Sequence, residues 1–122
     1  MSQVVTPQQI ESRLYTLSKD VDQAHQDLVE AELEFHKGTA EYEVAMARSR
    51  IGFAGKSSPG GRNYTVAERE DMAVIENEQA HYLIAITEAK VKAARANVNR
   101  LKTQVEIARS MSASVRSSME LS

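Results

Sequence analysis

The stretch GFAGKSSPGGRNY, residues 52–64, divides the sequence into two long segments of different character. It holds four of the five glycines and one of the two prolines. Glycine, proline, serine and asparagine interrupt periodic structure, so this stretch is predicted to be the one long loop of the chain. A loop of this length in a small domain is usually functional or disordered. The fold therefore depends on what the two flanking segments form.

Before the loop, residues 7–51 carry the pattern of an amphipathic helix. Thr6 and Pro7 form a typical helix start, with the threonine as N-cap and the proline in the first helical position. Apolar and small residues then recur at alternating steps of four and three, which is the heptad pattern of a coiled coil. This first seam consists of Ile10, Leu14, Leu17, Val21, Ala24, Leu28, Ala31, Phe35, Gly38, Tyr42 and Ala45.

After the loop, residues 65–112 carry a second helical pattern with two apolar stripes. Thr65 and Glu68 have the spacing of a capping box, which marks the start of this helix. One stripe begins at Met72 and the other at Ile84. A single helical partner covers only one stripe, so the surplus apolar surface is predicted to bind another copy of the chain. The residues predicted to form oligomer contacts are Tyr82, Ile84, Ile86, Val91, Val98, Leu101 and Val105.

These patterns predict an all-α fold of two long antiparallel helices, a coiled-coil-like helical hairpin joined by a Gly/Ser-rich basic loop. One domain is expected for the 122 residues. Its predicted parts are helix 1 at about 7–51, the loop at 52–64, helix 2 at about 65–112 and a frayed Ser-rich tail at 113–122. Two helices side by side bury little apolar surface, so the hairpin is predicted to assemble into an oligomer.

Charge is distributed in blocks, although the formal net charge is only −2. Residues 1–47 hold nine acids and three bases, whereas residues 48–62 hold four bases and no acid. Residues 63–88 hold six acids and one base, and residues 89–122 hold seven bases and two acids. Block asymmetry of this kind points to a polyanionic partner or to pairing between blocks.

Some of these charges also repeat every seven residues beside the apolar stripes. Salt bridges between such stripes select partner and register in coiled coils, and this is the first interpretation. The stripes match poorly within an antiparallel hairpin, however, so they favour contacts between parallel helices of neighbouring subunits or a basic stripe that stays free to bind an anion. The acidic stripe is Asp20, Asp27, Glu34 and Glu41, and the basic stripe is Arg95, Lys102, Arg109 and Arg116.

The sequence contains no catalytic or metal-binding pattern. Cysteine is absent, which excludes thiolate nucleophiles and zinc-finger spacings. The three histidines, His25, His36 and His81, do not lie at a metal-ligand spacing. The stretch GFAGKSS lacks two residues of the P-loop spacing and follows a helix instead of a strand. The chain is therefore predicted not to be an enzyme and to need no cofactor or metal.

The basic block, defined as residues 48–62, has the composition of a site for single-stranded nucleic acid. Cations neutralise phosphates, and aromatic rings stack on bases. The alternative interpretation is structural, because the helix dipole favours cations at a helix C-terminus and basic glycine-rich loops are often only well solvated. The residues predicted to contact nucleic acid are Arg48, Arg50, Lys56, Arg62, Phe53 and Tyr64.

The segment MARSRIGFAGK, the glycine-rich loop and NYTVAERED resemble the UvsY-type recombination mediators of tailed phages. That family shows a basic-x-basic-[Leu/Ile] step, a short aromatic stretch, a Gly-containing loop and a Phe/Tyr-Ser/Thr helix start. The matching elements here are Arg48-Ser49-Arg50-Ile51, Phe53, Gly55 with Gly60 and Gly61, and Tyr64-Thr65. The likeness covers roughly residues 43–110. It departs from the family at Gly52-Phe53-Ala54, where two adjacent aromatics are usual.

This resemblance implies a non-enzymatic helper that forms a homo-oligomer and binds single-stranded DNA. Such proteins help a RecA-like recombinase to displace single-strand-binding protein. The family's DNA-contacting step corresponds to Arg48 and Arg50, whereas Lys56 and Arg62 are included on charge alone. The competing prediction is a coiled-coil structural or adaptor protein, or a phage-encoded inhibitor that binds a host protein. No apolar run is long enough for a membrane span, so a cytoplasmic location is expected, in the bacterial host if the chain is phage-encoded.

Overall fold

A computed structural model describes residues 5–121. Within that range it contains three helices: α1 spans Pro7–Ala54, α2 spans Val66–Glu76 and α3 spans Glu78–Glu120. The only strand-like pairing described is an isolated bridge between Ser57 and Asn63. The predicted all-α class is confirmed. None of the helices described has the length and apolar content that crossing a membrane requires.

Helix α1 begins with reciprocal hydrogen bonds between Thr6 and Gln9. The Gln9 amide donates to the Thr6 hydroxyl over 3.2 Å, and the Thr6 amide donates to Gln9 Oε1 over 3.0 Å. This is a capping box, which satisfies two amides that have no partner within the helix. At its other end α1 continues to Ala54, three residues beyond the predicted end. The amide of Lys56 closes this final turn by donating to the Phe53 carbonyl over 3.2 Å.

The predicted heptad seam of α1 is confirmed, because every one of its positions is buried or half-buried. The same four-and-three spacing continues past the predicted end of the seam to Ser49, and a further step of four leads to Phe53; both are buried. On the other side of the loop, a matching seam runs along α2 and α3. It consists of Ala73, Asn77, Ala80, Ile84, Thr87, Val91, Ala94, Val98, Leu101, Val105, Ala108, Ser112 and Val115.

The single second helix predicted for 65–112 is interrupted at Asn77, which separates α2 from α3. Asn77 has φ −108° and ψ 27°, outside regular helical geometry. Its carboxamide nitrogen donates to Ser49 Oγ and to the Ala73 carbonyl, both at 2.8 Å. Asparagine side chains compete in this way with regular backbone hydrogen bonding. Periodicity does not predict such a break, because Asn77 keeps its place in the seam.

Helix α3 ends at Glu120 and so includes most of the tail that was predicted to fray from residue 113. The tail stays helical because it packs against the start of α1. Pro7, Ile10 and Glu11 line one groove together with Val115 and Arg116. Ile10 is buried and Val115 is half-buried. Helical stability in proteins comes mostly from such tertiary packing, which serine-rich composition does not reveal.

The chain packs as two compact units. The first, unit 1, pairs the chain up to Glu30 with the chain from Lys92 onward. Its core is apolar, and Arg13 Nη2 donates to Gln104 Oε1 over 3.2 Å at its surface. The buried core residues are Leu17, Ala24, Val98, Leu101 and Ala108, against which Leu14, Val21, Leu28 and Val105 pack.

The second unit, unit 2, spans Ala31–Val91 and contains the loop with the helix segments on both sides of it. Three contacts join α1 to α3 or to the break between α2 and α3. The Lys90 ammonium lies 3.6 Å from the Glu34 carboxylate. The rings of Tyr42 and His81 are 5.7 Å apart, and Ser49 bonds Asn77. From Glu34 to Ser49 along α1, the contacting residues therefore run in the opposite direction, from Lys90 to Asn77.

Candidate nucleic-acid interface

The loop between α1 and α2 is a tight, hydrogen-bonded turn. The Ser58 amide donates to the Arg62 carbonyl over 2.7 Å, and the Gly61 amide donates to the Ser58 carbonyl over 2.9 Å. Gly61 has φ +83°, a conformation that L side chains rarely adopt, so glycine is required there. The buried Ser58 hydroxyl has no hydrogen-bond partner within residues 5–121. The predicted long loop thus has a defined backbone path.

Phe53 anchors this turn. It is only 8% exposed, and its ring meets the Tyr64 ring edge-on, with centroids 5.8 Å apart. The Lys56 ammonium lies 5.1 Å from the Phe53 ring centroid. Phe53 was predicted to stack on a base, but in this structure its ring is occupied by contacts within the chain. Of the predicted stacking pair, only Tyr64 is partly exposed.

Arg50 forms a two-point ion pair with Glu70 of α2. Its Nε lies 2.6 Å from Glu70 Oε2, and its Nη2 lies 2.9 Å from Oε1. This hydrogen bonding lowers the pKa of Glu70 and raises the pKa of Arg50. Both side chains keep about half of their surface exposed, at 46% and 50%. Solvent and dissolved anions therefore still reach the pair.

Arg62 forms a second two-point pair, with Glu68. Arg62 Nη1 and Nη2 donate to the two carboxylate oxygens over 2.6 and 3.2 Å. The same carboxylate accepts the Thr65 amide over 3.2 Å, while Thr65 Oγ1 accepts the Glu68 amide over 3.1 Å, so the predicted capping box is present. Bonding to Arg62 and then to Thr65 lowers the pKa of Glu68 to about 2. Glu68 thus joins the loop to the start of α2.

Carboxylates therefore neutralise part of the basic block. Two of its four cations meet carboxylates from α2, which sequence analysis had assigned to a different charge block. Within residues 5–121, no carboxylate lies within 4.0 Å of Arg48 or Lys56. The signal for pairing was present in the sequence, because Glu68 and Glu70 lie in the first turns of α2, directly after the loop. Only the path of the loop brings the start of α2 next to Arg50.

The basic-x-basic step straddles the seam. Ser49 lies between the two arginines and is 6% exposed, so its side chain points into unit 2. Its hydroxyl accepts from Asn77 and donates to Glu76 Oε1 over 3.2 Å. Residues two positions apart on a helix are separated by about 200° of rotation. Arg48 and Arg50 therefore lie on opposite flanks of α1, and only Arg50 faces α2. The spacing of the seam gives no signal for this Ser49–Asn77–Glu76 cluster.

The residues predicted to form oligomer contacts fall into two groups. Tyr82 and Ile86 are exposed. The other five are buried or half-buried within the chain itself, because they belong to the seam of α3: Ile84, Val91, Val98, Leu101 and Val105. In unit 1 the α1 residues Leu17 and Ala24 share the core with Val98 and Leu101. The stripe that begins at Met72, not the one that begins at Ile84, therefore supplies the exposed apolar surface.

Comparison with known proteins finds no family model, no curated protein and no solved structure that matches this chain. Within residues 5–121, no group of three or more metal-ligating side chains is close enough together to hold a metal ion. The described surface that combines cations, glycine backbone and an accessible aromatic ring is the one formed by the end of α1 and the loop. We therefore treat this surface as the candidate nucleic-acid interface.

Proposed function

We propose that this protein is a non-enzymatic recombination mediator that binds single-stranded DNA and assembles as a homo-oligomer of helical hairpins. The observation that carries the proposal is the pair of exposed, uncompensated cations Arg48 and Lys56 beside the glycine-rich turn. By the resemblance described above, the mediator helps to load a RecA-like recombinase onto DNA coated with single-strand-binding protein. It acts in the cytoplasm, that of the bacterial host if the chain is phage-encoded.

The geometry supports different roles for the four cations in binding DNA. Arg48 and Lys56 neutralise phosphates directly. Arg50 and Arg62 pair with an exposed and a half-buried carboxylate, and two oxygens of a phosphate offer each guanidinium the same two-point geometry. Tyr64, which is half-buried, supplies its ring for stacking on one base, whereas Phe53 holds the turn in place. Binding through two to four phosphates gives a strongly salt-dependent affinity with little sequence preference.

Three contacts in unit 2 support the antiparallel hairpin that this proposal includes. Glu34 meets Lys90, Tyr42 meets His81, and Ser49 meets Asn77. Each step toward the loop along α1 corresponds to a step toward the loop along α3. In a hairpin of this kind the basic step and the turn lie together at one end.

The test is titration of labelled oligo-dT across a salt series. Replacing Arg48 and Lys56 together by alanine is expected to weaken binding and to reduce the slope of log K against log salt by roughly 1.4, or 0.7 per lost phosphate contact. The matched control replaces Lys19 and Lys37, which removes the same charge from α1 outside the basic block. Absent binding at low salt, or an equal loss in the control, would contradict the proposal.

Loading activity needs its own assay, because many basic proteins bind DNA. Added to single-strand-binding-protein-coated DNA, the wild type is expected to shorten the lag before a RecA-like recombinase hydrolyses ATP. The variant lacking Arg48 and Lys56 is expected to leave that lag unchanged. If the wild type binds DNA but has no effect on any RecA-like recombinase tested, the mediator role is wrong and only DNA binding remains.

A second candidate function is a coiled-coil adaptor, or an inhibitor that binds a host protein. One observation favours it: the outer face of α1 in unit 2 carries Leu33, Val44 and Ile51, each more than half exposed. Exposed apolar residues in such a row mark interaction surfaces. An adaptor is expected to retain partner binding when Arg48 and Lys56 are replaced, and to show no salt-dependent affinity for oligo-dT.

A further inference from the structure

The face of α2 and α3 that points away from the seam carries an apolar stripe. Its large members Ile75, Tyr82 and Ile86 are 63%, 53% and 53% exposed, and the neighbouring Leu83 is 52% exposed. Ile75, Tyr82 and Ile86 are separated by steps of seven and four residues, so these three lie on one side of the helix. We define the outer stripe as Ile75, Gln79, Tyr82, Ile86 and Ala89, with Leu83 on its flank. Several large, half-exposed apolar side chains in one row are unusual on a monomer surface.

The break at Asn77 does not disrupt this stripe. The Asn77 amide donates to the Ala73 carbonyl over 3.1 Å, and the His81 amide donates to the Asn77 carbonyl over 3.0 Å. Helical hydrogen bonding therefore continues across the junction, and the buried or half-buried positions Ala73, Asn77 and Ala80 keep the seam's steps of four and three. The Tyr82 hydroxyl donates to Glu78 Oε1 over 3.0 Å, which satisfies its polar end within the chain. The Tyr82 ring remains available for apolar packing.

Charges beside the outer stripe are arranged symmetrically about Leu83. Glu76 lies seven residues before Leu83 and Lys90 lies seven residues after it, on the same flank of the helix. In an antiparallel helix pair, like flanks face each other, so a two-fold axis at Leu83 places Glu76 of each copy opposite Lys90 of the other. The same register packs Tyr82 against Ile86 of the second copy and brings the two Leu83 side chains together.

Other registers lose this match. A parallel pairing places Lys90 opposite Ala85 of the second copy, because flank positions five residues apart then meet. An antiparallel pairing shifted by one heptad places Lys90 opposite Leu83. Each of these leaves a lysine against an apolar residue and Glu76 without a basic partner. The charge pattern therefore selects one arrangement among those available to the outer stripe.

We propose that the occupant of the outer stripe is a second copy of this chain, bound antiparallel about a two-fold axis at Leu83. Self-complementary contact of one patch with itself is the usual geometry of a symmetric dimer. Glu76 accepts the Ser49 hydroxyl through Oε1, and its second carboxylate oxygen meets the incoming lysine. Lys90 then lies between Glu34 of its own chain and Glu76 of the other. The inference specifies the oligomer contact of the proposed function and does not depend on DNA binding.

The apolar part of the interface is tested with two matched isoleucines on α3. Ile86 is 53% exposed and Ile107, three heptads further along the same face and outside the paired register, is 55% exposed. Replacing Ile86 by aspartate is expected to weaken self-association by at least about a hundredfold, because a carboxylate is buried in the contact. Replacing Ile107 by aspartate is expected to leave it unchanged. The readout is sedimentation equilibrium at micromolar protein against the 13.5 kDa monomer mass.

The register is tested by charge reversal. Glu76→Lys and Lys90→Glu are each expected to weaken self-association by about tenfold, whereas the double variant restores the opposite-sign pair and recovers wild-type association within about threefold. Circular dichroism confirms that each variant keeps its helices. A wild type that stays monomeric, equal dissociation by the two isoleucine variants, or a double variant weaker than both single ones would overturn the proposal.

The two proposals fail separately. Oligo-dT titration of the Ile86→Asp variant measures DNA contact without the dimer, and sedimentation of the variant lacking Arg48 and Lys56 measures assembly without the DNA contact. Assembly that survives loss of the cations while DNA binding is absent supports the interface and contradicts the mediator role. DNA binding by a wild-type chain that is strictly monomeric supports the DNA contact and contradicts the interface.

Discussion

The heptad seam has two different characters along the molecule. In unit 1 it is apolar, with Leu17, Val98 and Leu101 buried together. In unit 2, near the loop, it is polar, because Ser49 and Asn77 occupy buried or half-buried seam positions and bond to each other over 2.8 Å. Both parts follow the same steps of four and three. The comparison shows that one sequence pattern supplies apolar burial in one region and a specific contact in another.

The polar part of the seam has a consequence for the candidate interface. An apolar contact tolerates small rotations of a helix, whereas a buried hydrogen bond restricts its partners to one register. Ser49 lies between Arg48 and Arg50, so its bond to Asn77 sets which arginine faces α2. Arg50 pairs with Glu70, and Arg48 remains exposed on the opposite flank. The polar seam thus determines which of the two arginines in the basic-x-basic step meets a carboxylate.

The largest expected effect is in the apolar part of the seam. Leu17 is 1% exposed, and its replacement by alanine is expected to lower the free energy of unfolding by about 2–5 kcal/mol, because a cavity remains where the side chain packed. Leu33→Ala is the matched control, since Leu33 lies on the outer face of α1 and is exposed. Its expected change is within about 0.5 kcal/mol. Urea unfolding followed by circular dichroism gives both values, and equal losses would contradict the assigned seam.

An intermediate effect is expected in the polar part of the seam. Asn77→Ala removes the donor to Ser49 and is expected to lower the free energy of unfolding by about 1–3 kcal/mol, because a buried hydroxyl loses a partner. Ser49→Ala removes the other half of the contact. If the contact is real, the double variant loses less than the sum of the single losses. Strict additivity in the double-mutant cycle would show that the Ser49–Asn77 contact contributes no coupling.

The smallest effect is expected at the exposed Arg62–Glu68 pair, and it depends on pH. The pKa of Glu68 is lowered to about 2 in the folded chain, from an ordinary value of 4.5. A carboxyl group whose pKa is lowered by folding stabilises the folded state at pH values above its ordinary pKa. The contribution of Glu68 to the free energy of unfolding is therefore fully present above pH 4.5 and is lost as the pH falls toward 2. Glu68→Gln keeps the capping geometry without the charge. The stability difference between wild type and this variant is expected to vanish across that interval.

A carbon-13 NMR titration of the Glu68 side-chain carboxyl measures the same quantity directly. Its midpoint is expected well below that of an unpaired glutamate and is expected to rise when Arg62 is replaced by glutamine. A midpoint near 4.5 in the wild type would mean that the Arg62–Glu68 pair does not form in solution. The basic block would then carry a third cation without a carboxylate partner, beside Arg48 and Lys56.

Much of the fold follows from local signals in the sequence. The first seam, the threonine N-cap before Pro7 and the capping box at Thr65 are all present as predicted. Such signals are readable because they act within a few residues of each other along one helix. The break at Asn77 and the persistence of α3 to Glu120 were not predicted. Both depend on contacts with α1, from Ser49 in one case and from the groove beside Pro7 in the other.

The candidate interface was predicted only in part. The sequence identified the residues of the basic block and its aromatic neighbours. It did not reveal that Phe53 is buried beneath the turn or that Glu68 and Glu70 pair with Arg62 and Arg50. The charge blocks are consecutive in the sequence, whereas ion pairs form between residues that the turn brings together.

By itself, the sequence determined the all-α class, the heptad spacing, the approximate position of the loop and the asymmetric distribution of charge, because periodicity and capping are local properties. Only the tertiary structure decided which apolar stripe of the second helical segment is buried and which is exposed. It also decided that Arg50 and Arg62 meet carboxylates, whereas none of the carboxylates in residues 5–121 lies within 4.0 Å of Arg48 or Lys56. The physical reason is that burial and ion pairing depend on which faces meet across the loop.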